Sequence, residues 1–393
     1  MTGTITDLSV AGRLALRVLR RRMAGGITQP PDLKAFQEDM DNALACLPDG
    51  TITAHSWIFM PADEAPWRHS GIDLSPGNQV TYFAAGRVYG SRGLDFWVEP
   101  KFQIWSKIGD DGDIISATRN SHTITAERSG QLMFGNYFPN DWTDTKGSRL
   151  QDDAVYDGVD GETAILVVRW AGSAKDGLVA LQSAGDPGGL VSSELERLTQ
   201  GPTVPQGWHY LWSLGNSEIF RECEAPGGAP AVCCDVHSDV GILQKDVDVP
   251  LTPQSEISWR WIVENLPSSI REDTIPTHDY LSIAVEFDNG WDITYYWSCS
   301  LKPGTGYICP LPNWKDREFH VAIRSGRKGL GVWTDERRNL YDDYQHYMKD
   351  LGALPTKIVR VWFIANSSFQ RGVGKCAYSN IRLNNGDNEL VVL

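Results

Sequence analysis

Tyr280-Leu281-Ser282-Ile283-Ala284-Val285-Glu286-Phe287 and, past an Asp-Asn-Gly-Trp break, Asp292-Ile293-Thr294-Tyr295-Tyr296-Trp297-Ser298 are the two runs on which the fold turns. Both are rich in β-branched and aromatic residues, which suit a pleated backbone. Successive side chains of a strand point to opposite faces. Leu281, Ile283, Val285 and Phe287 therefore share one face, and Tyr280, Ser282, Ala284 and Glu286 the other. In the second run Ile293, Tyr295 and Trp297 separate from Thr294, Tyr296 and Ser298 in the same way.

Similar runs occupy 79–85, 95–107, 121–127, 131–137 and 163–170, then 257–263, 318–324, 330–334 and 357–364. Gly, Pro, Asn and Asp clusters separate them at roughly 8–12 residues, the spacing of a β-sandwich or barrel. Two stretches depart from this pattern. Leu33, Phe36, Met40, Ala43, Leu44 and Leu47 repeat with helical period and predict a helix over 32–47. Leu340, Tyr344, Tyr347 and Leu351, followed by Gly352, predict another between Arg337 and Leu351. The expected architecture is all-β. It comprises a helical segment at 1–50, a lectin-like or jelly-roll β-sandwich at 51–183, a Gly/Pro-rich linker at 184–207 around one possible helical turn at Ser192–Leu198, and a second β-sandwich with one helix at 208–393.

Charge narrows the function classes. The 393 residues carry a net −14, but residues 1–30 alone are +4, through Arg13, Arg17, Arg20, Arg21 and Arg22 against Asp7, which leaves −18 on the rest. An acidic body argues against nucleic-acid binding, and no apolar run is long enough for a membrane-spanning helix. The basic start has no separate apolar core, so a secretory signal is not expected. A transit peptide or a basic helix packed on an acidic body fits it. Six of the seven cysteines follow residue 220 without paired Cys-x-x-Cys spacing, so free thiols in a reduced, cytoplasmic protein are expected. Cys299 and Cys309 flank Lys-Pro-Gly-Thr-Gly and could face each other across a hairpin.

Nucleotide, nucleophile and zinc-protease motifs are absent, and the eight histidines are scattered. Asp110, Asp111 and Asp113 read as an acidic turn, because the downstream bidentate acid of a calcium loop is missing. Neither a metal nor a cofactor is therefore expected.

Ser75-Pro76-Gly77-Asn78-Gln79-Val80-Thr81-Tyr82-Phe83-Ala84-Ala85-Gly86-Arg87 resembles an early strand of the bacterial galactophilic, calcium-dependent lectins. A Pro-Gly turn opens the strand and glycine closes it. The Asn- and Asp-rich stretch 133–147 is similar to that family's calcium and sugar loop. Aligned on Pro139, a ligand Asp is replaced by Tyr137 and an Asn by Thr145, while Asp141 and Asp144 remain. The resemblance implies a lectin fold with galactose and calcium binding as the function to test. Ser258-Trp259-Arg260-Trp261, Tyr295-Tyr296-Trp297, Arg324-Ser325-Gly326 and Trp333 through Tyr344 resemble an uncharacterised family of bacterial β-sandwich domains. That family places acids in the loop that here reads Ala365-Asn-Ser-Ser-Phe369. The overall make-up is also similar to fungal enzymes that join tropolones to sesquiterpenes by hetero-Diels–Alder reactions.

Fifteen tryptophans make the aromatic strands of the second domain the place to look for a site. Each large aromatic fills a core or walls a pocket. Under the pocket reading Trp261, Tyr296, Trp297, Trp333, Trp362 and Asn366 contact a small-molecule ligand, and Glu286, His320 and Arg324 polarise it. Glu286 next to aromatics is a general-acid candidate, with a salt bridge to Arg260, Arg324 or another basic neighbour as the alternative. The resulting expectation is a cofactor-independent enzyme of natural-product biosynthesis, catalysing dehydration, cyclisation or cycloaddition of a hydrophobic small molecule. A carbohydrate-binding, lectin-like protein is the alternative.

Overall fold

The computed structural model describes residues 2–25, 29–64, 67–138, 141–201 and 204–393, with side chains of the first helix from Ser9 onward. The chain divides into two compact units. One comprises residues 18–202 and 212–216, the other 1–17, 203–211 and 217–393. Both are built on β-sheets, as expected.

In the N-terminal unit a five-stranded sheet runs in the order Ile52–Pro61, Asp160–Trp170, Gln79–Ser91 and Phe96–Val98, with Ser121–Thr125 also paired to Gln79–Ser91. A four-stranded sheet (Trp67–Leu74, Gly130–Asn136, Ile104–Ile108, Ile115–Ser116) covers one face, and Val80, Tyr82, Leu132, Phe134, Ile165 and Val167 fill the space between. The other face is covered by helices. Phe83, Ala164, Leu166 and Val168 pack against Phe36 and Met40 of Leu33–Ala45, Leu178 and Leu181 of Ala174–Ala184, and Val191 of Leu190–Gln200. A strand buried on both faces explains the unbroken apolar run 164–168.

The Ser75–Asn78 turn opens Gln79–Ser91 as expected: Asn78 N–H donates to Ser75 O at 2.9 Å, and Gly77 has φ +87°. Gly86, however, does not end the strand. It sits at φ +145° where a Cβ would lie 2.2 Å from the Glu162 carbonyl oxygen, so glycine here permits a close backbone approach and the strand continues. The expected strand 95–107 is broken by Pro100, which starts a one-turn helix. Within 184–207 the possible helical turn at Ser192–Leu198 lies inside a full helix, Leu190–Gln200, with Val191 and Glu194 buried, so the segment is more than a linker.

The C-terminal unit is a sandwich. A seven-stranded sheet has the order His209–Tyr210, Val240–Pro250, Lys357–Asn366, Tyr280–Phe287, Asp292–Ser298, Glu318–Ser325 and Gly306–Ile308. A six-stranded sheet has Phe220–Ala225, Ala229–His237, Val373–Asn384, Glu256–Asn265 and Thr334–Asn339, with Glu389–Val391 paired to Val373–Asn384. Leu281, Ile283, Val285, Ile293, Tyr295 and Trp297 face the inter-sheet core, together with Trp259, Trp261, Phe363 and Tyr378. The expected strand 330–334 is displaced to Thr334–Asn339. Its charged residues are tolerated because it lies at the sheet edge, where Arg337 pairs with Glu256. The expected helix follows at Leu340–Tyr347, capped by Asn339 Oδ1 accepting from Asp342 N–H at 2.8 Å.

The cysteines correct the expectation of free thiols in part. The Ala225–Ala229 hairpin sets Cys223 opposite Ala231, so Cys233 lies diagonally across on the same face, and the two form a disulfide. Cys299 and Cys309 are both free.

Candidate metal centre

The second face of the seven-stranded sheet is polar and buried. Strand register places Trp362, Ala284, Thr294 and His320 in one row, and Arg360, Glu286, Asp292 and Glu318 in the next. Period two along one strand sets Glu318 and His320 on the same side. The short strand Gly306–Ile308 pairs Tyr307 with His320. The following Cys309 is held there by its N–H donating to Glu318 O at 3.0 Å. His278 arrives from the turn Ile275–Thr277, just before Tyr280–Phe287.

The donor atoms of His278, Cys309, Glu318 and His320 lie within 4.8 Å of one another, and all four residues are buried. His278 Nδ1 sits 2.6 Å from the Glu272 carbonyl oxygen. A carbonyl only accepts, so this contact assigns the proton to Nδ1 and leaves Nε2 bare, 3.4 Å from Cys309 Sγ. Neither ring nitrogen of His320 has a hydrogen-bond partner, and its Nε2 is 3.4 Å from a Glu318 carboxylate oxygen. Orientation of one imidazole by a backbone carbonyl is the usual support of a metal-binding histidine.

The surroundings tune these groups. Burial, with His320 alongside, pushes His278 down to about 3, so its imidazole is neutral. Burial would raise Glu318, but the adjacent His320 imidazole outweighs it and holds the carboxyl below the usual carboxylate range. Asp292 is driven well above the carboxylate range by burial and then by the adjacent Glu318 charge. Tyr280 donates to Glu318 Oε1 at 3.1 Å, and the Thr294 hydroxyl sits 2.8 Å from Asp292 Oδ1. Tyr307 stacks on His320 with ring centroids 5.1 Å apart, and its hydroxyl donates to the Tyr296 hydroxyl at 3.1 Å. Glu272 is fixed in turn by Ser268 and Ser298 hydroxyls, each at 2.6 Å, and by Cys299 N–H at 2.7 Å.

Two imidazole nitrogens, the Cys309 sulfur and a carboxylate form a donor set suited to a borderline divalent cation such as zinc; burial and the Glu318 charge push the thiol up, so a bound cation has to displace its proton. The two negative ligands cancel the charge of the ion, so the filled centre is neutral in an apolar interior. Neither His320 nitrogen has a hydrogen bond, Nε2 having only the 3.4 Å contact to Glu318, and a buried nitrogen left without one costs about 1–3 kcal/mol. Two of the histidines scattered through the sequence, His278 and His320, thus converge in space with Cys309 and Glu318.

The residues expected to form an aromatic pocket divide into two places. His320, Tyr296, Trp362, Asn366 and Glu286 share the buried polar face. Asn366 Nδ2 donates to the His278 carbonyl at 2.9 Å and so steadies the metal-centre turn. Glu286 is ion-paired with Arg360 at 2.8 Å and accepts from Trp362 Nε1 at 3.1 Å. The salt-bridge alternative therefore holds, with Arg360 as partner in place of Arg260 or Arg324. Trp261 and Trp297 are core residues, and Glu336 takes both Trp261 Nε1 at 3.1 Å and the Arg324 guanidinium. Trp333 is half-buried under Arg260. His278, Cys309, Glu318 and the orienting Glu272 are missed by sequence reasoning; the one local signal is Glu318-x-His320 within a strand.

The loop expected to bind calcium is built differently. Pro139 lies outside the described residues. Asp141 is fully buried and accepts from Arg149 Nε at 2.5 Å and from Gln151 N–H at 2.8 Å. Asp144 is exposed and closes its own turn by accepting from Lys146 N–H at 2.8 Å. A guanidinium occupies the position at Asp141 that the resemblance assigns to a cation.

Residues 216–382 match the family model described as a protein of unknown function (DUF3047). That span contains all four donor residues and the Ser258–Trp261 motif. No curated protein matches the chain. Among solved structures, the EclA N-terminal domain, a PllA-like lectin, is similar at 15% identity over 31% of this chain and 99% of that one, with a TM-score of 0.23. The xyloglucanase domain of NopAA, a type three effector from Sinorhizobium fredii, is similar at 9% identity over 46% and 92%, TM-score 0.28. A family 11 carbohydrate-binding module of a Clostridium thermocellum cellulase is similar at 11% over 45% and 82%, TM-score 0.23.

Proposed function

We propose that the C-terminal unit is a zinc-binding β-sandwich whose metal is structural. The observation that carries this reading is the convergence of four buried donors, with His278 Nε2 left unprotonated by its Nδ1 contact and neither His320 nitrogen hydrogen-bonded. Two imidazoles, a thiolate and a carboxylate complete a tetrahedral ion, and a closed coordination sphere is the mark of a structural site. Catalysis at this centre would need an open fourth position and a path for substrate, and the donors are all buried. The metal would lock the turn at His278 to the strands at Cys309 and Glu318, and its binding energy would appear as folding stability.

Metal content after purification tests this directly, with Cys309→Ser and His320→Ala as comparisons. The expected result is close to one zinc per wild-type chain and almost none in either variant. Loss of the ion should destabilise the unit by about 3–5 kcal/mol, or roughly 10 °C in Tm for a unit of this size. Replacement by cobalt should add the charge-transfer absorption of a cobalt–thiolate bond, absent in Cys309→Ser. Metal-free wild-type protein whose Tm ignores added zinc would sink the reading. Sugar binding by the N-terminal unit, if detected on immobilised galactose, is expected to survive calcium chelation, because Arg149 already neutralises Asp141.

A further inference from the structure

The basic first helix, Thr2–Met23, has no part in the metal centre. At 100° per residue, Val10, Leu14 and Val18 form one stripe, and all three are buried. Val10 and Leu14 pack on Ile270, and Arg17 donates to Gln370 Oε1 at 3.0 Å and to the Ser269 hydroxyl at 2.5 Å. The opposite stripe carries Leu16, Leu19 and Met23, which are 46%, 52% and 79% exposed. Arg13 and Arg20 flank it on one side and Arg22 on the other, all exposed. A helix anchored by one face thus presents a second apolar stripe, bordered by cations.

We infer that this outer stripe seats the protein on an anionic phospholipid surface, with the helix lying in the plane of the interface. Leucine and methionine side chains enter the headgroup–acyl boundary, and the flanking arginines meet lipid phosphates. Charge complementarity favours lipid as the occupant: the stripe has arginine on both borders, while the remainder of the chain is −18. Attraction to an anionic surface must therefore come from the helix itself. A protein partner fits less well, since three side chains offer on the order of a few hundred Å², against about 800 Å² per partner in a stable interface. The helix is also too polar to span; no helix among the described residues is long and apolar enough to cross a membrane.

Co-sedimentation of the full chain with phosphatidylcholine vesicles, with and without roughly one-third phosphatidylserine, tests the inference. Binding is expected only to the anionic vesicles and should weaken strongly at about 0.5 M salt. The triple variant Arg13→Gln, Arg20→Gln, Arg22→Gln should bind about 100-fold more weakly, at roughly fivefold per arginine. Leu16→Ser with Leu19→Ser and Met23→Ser should also lose binding, and all these positions are exposed, so Tm should be unchanged. Equal binding to both vesicle types, no binding to either, or wild-type binding by the variants would overturn it. So would vesicle-free self-association that the Leu/Met variant abolishes, which would make a second copy the occupant.

Discussion

His122 shows how a single buried side chain sets a pH limit on the N-terminal unit. Burial, with the Arg197 charge adding to it, pushes its pKa down to about 4, and its Nδ1 has no hydrogen-bond partner. The unfolded chain takes up a proton near pH 6.5 that the native imidazole refuses until about pH 4. Stability is therefore complete above about pH 6.5 and falls as pH drops through that window, by up to about 3 kcal/mol. Urea midpoints measured across pH 4–7 should show this slope, and His122→Gln should flatten it; equal slopes in both proteins would refute the assignment. Glu286 makes the opposite point. Its residue type and aromatic neighbours suggest an acid catalyst, yet Arg360 and Trp362 Nε1 already hold its carboxylate. Glu286→Gln is expected to cost about 1–2 kcal/mol in denaturant titration, since Arg360 is partly exposed, and to leave zinc content unchanged.

At the scale of elements, the strands were legible wherever a chain segment has one buried and one contrasting face. Tyr280–Phe287 and Asp292–Ser298 fall where alternation places them. Asp160–Trp170 is visible as an apolar run because both its faces are covered. Elements with no such contrast were harder to see. Thr334–Asn339 is an edge strand with charged side chains, and of Leu190–Gln200 only the turn Ser192–Leu198 shows through its Gly- and Pro-rich neighbourhood. Glycine was read correctly as special but for the wrong consequence. Gly86 and Gly161 face carbonyl oxygens across the Gln79–Ser91 and Asp160–Trp170 pair, where an added Cβ would stand 2.2 and 2.0 Å from Glu162 O and Arg87 O. Gly161→Ala, at φ +121°, should lower the stability of the N-terminal unit by about 2–4 kcal/mol through strain and strand separation. Thermal unfolding would check this, and an unchanged Tm would show that the pair can relax.

For the molecule as a whole, two units with separate cores predict two unfolding events. Only the C-terminal unit contains the metal donors. A chelator strong enough to strip zinc should therefore shift one calorimetric transition down and leave the other in place, whereas His122→Gln should affect the other alone. Joint movement of both transitions would mean that the units unfold as one. Legible in the sequence alone are the all-β class, the helical regions near Phe36 and Tyr344, the acidic body with its basic start, and the two faces of Tyr280–Phe287 and Asp292–Ser298. These follow from local periodicity and composition, which need no knowledge of partners. Only the tertiary structure decided the metal centre. His278, Cys309 and the Glu318-x-His320 pair come from a turn, a strand end and a strand with no shared local spacing, and strand pairing brings their donor atoms within 4.8 Å. It also decided the roles of Asp141 and Glu286, since whether a carboxylate is free or already bound by a guanidinium depends on which arginine the fold places beside it.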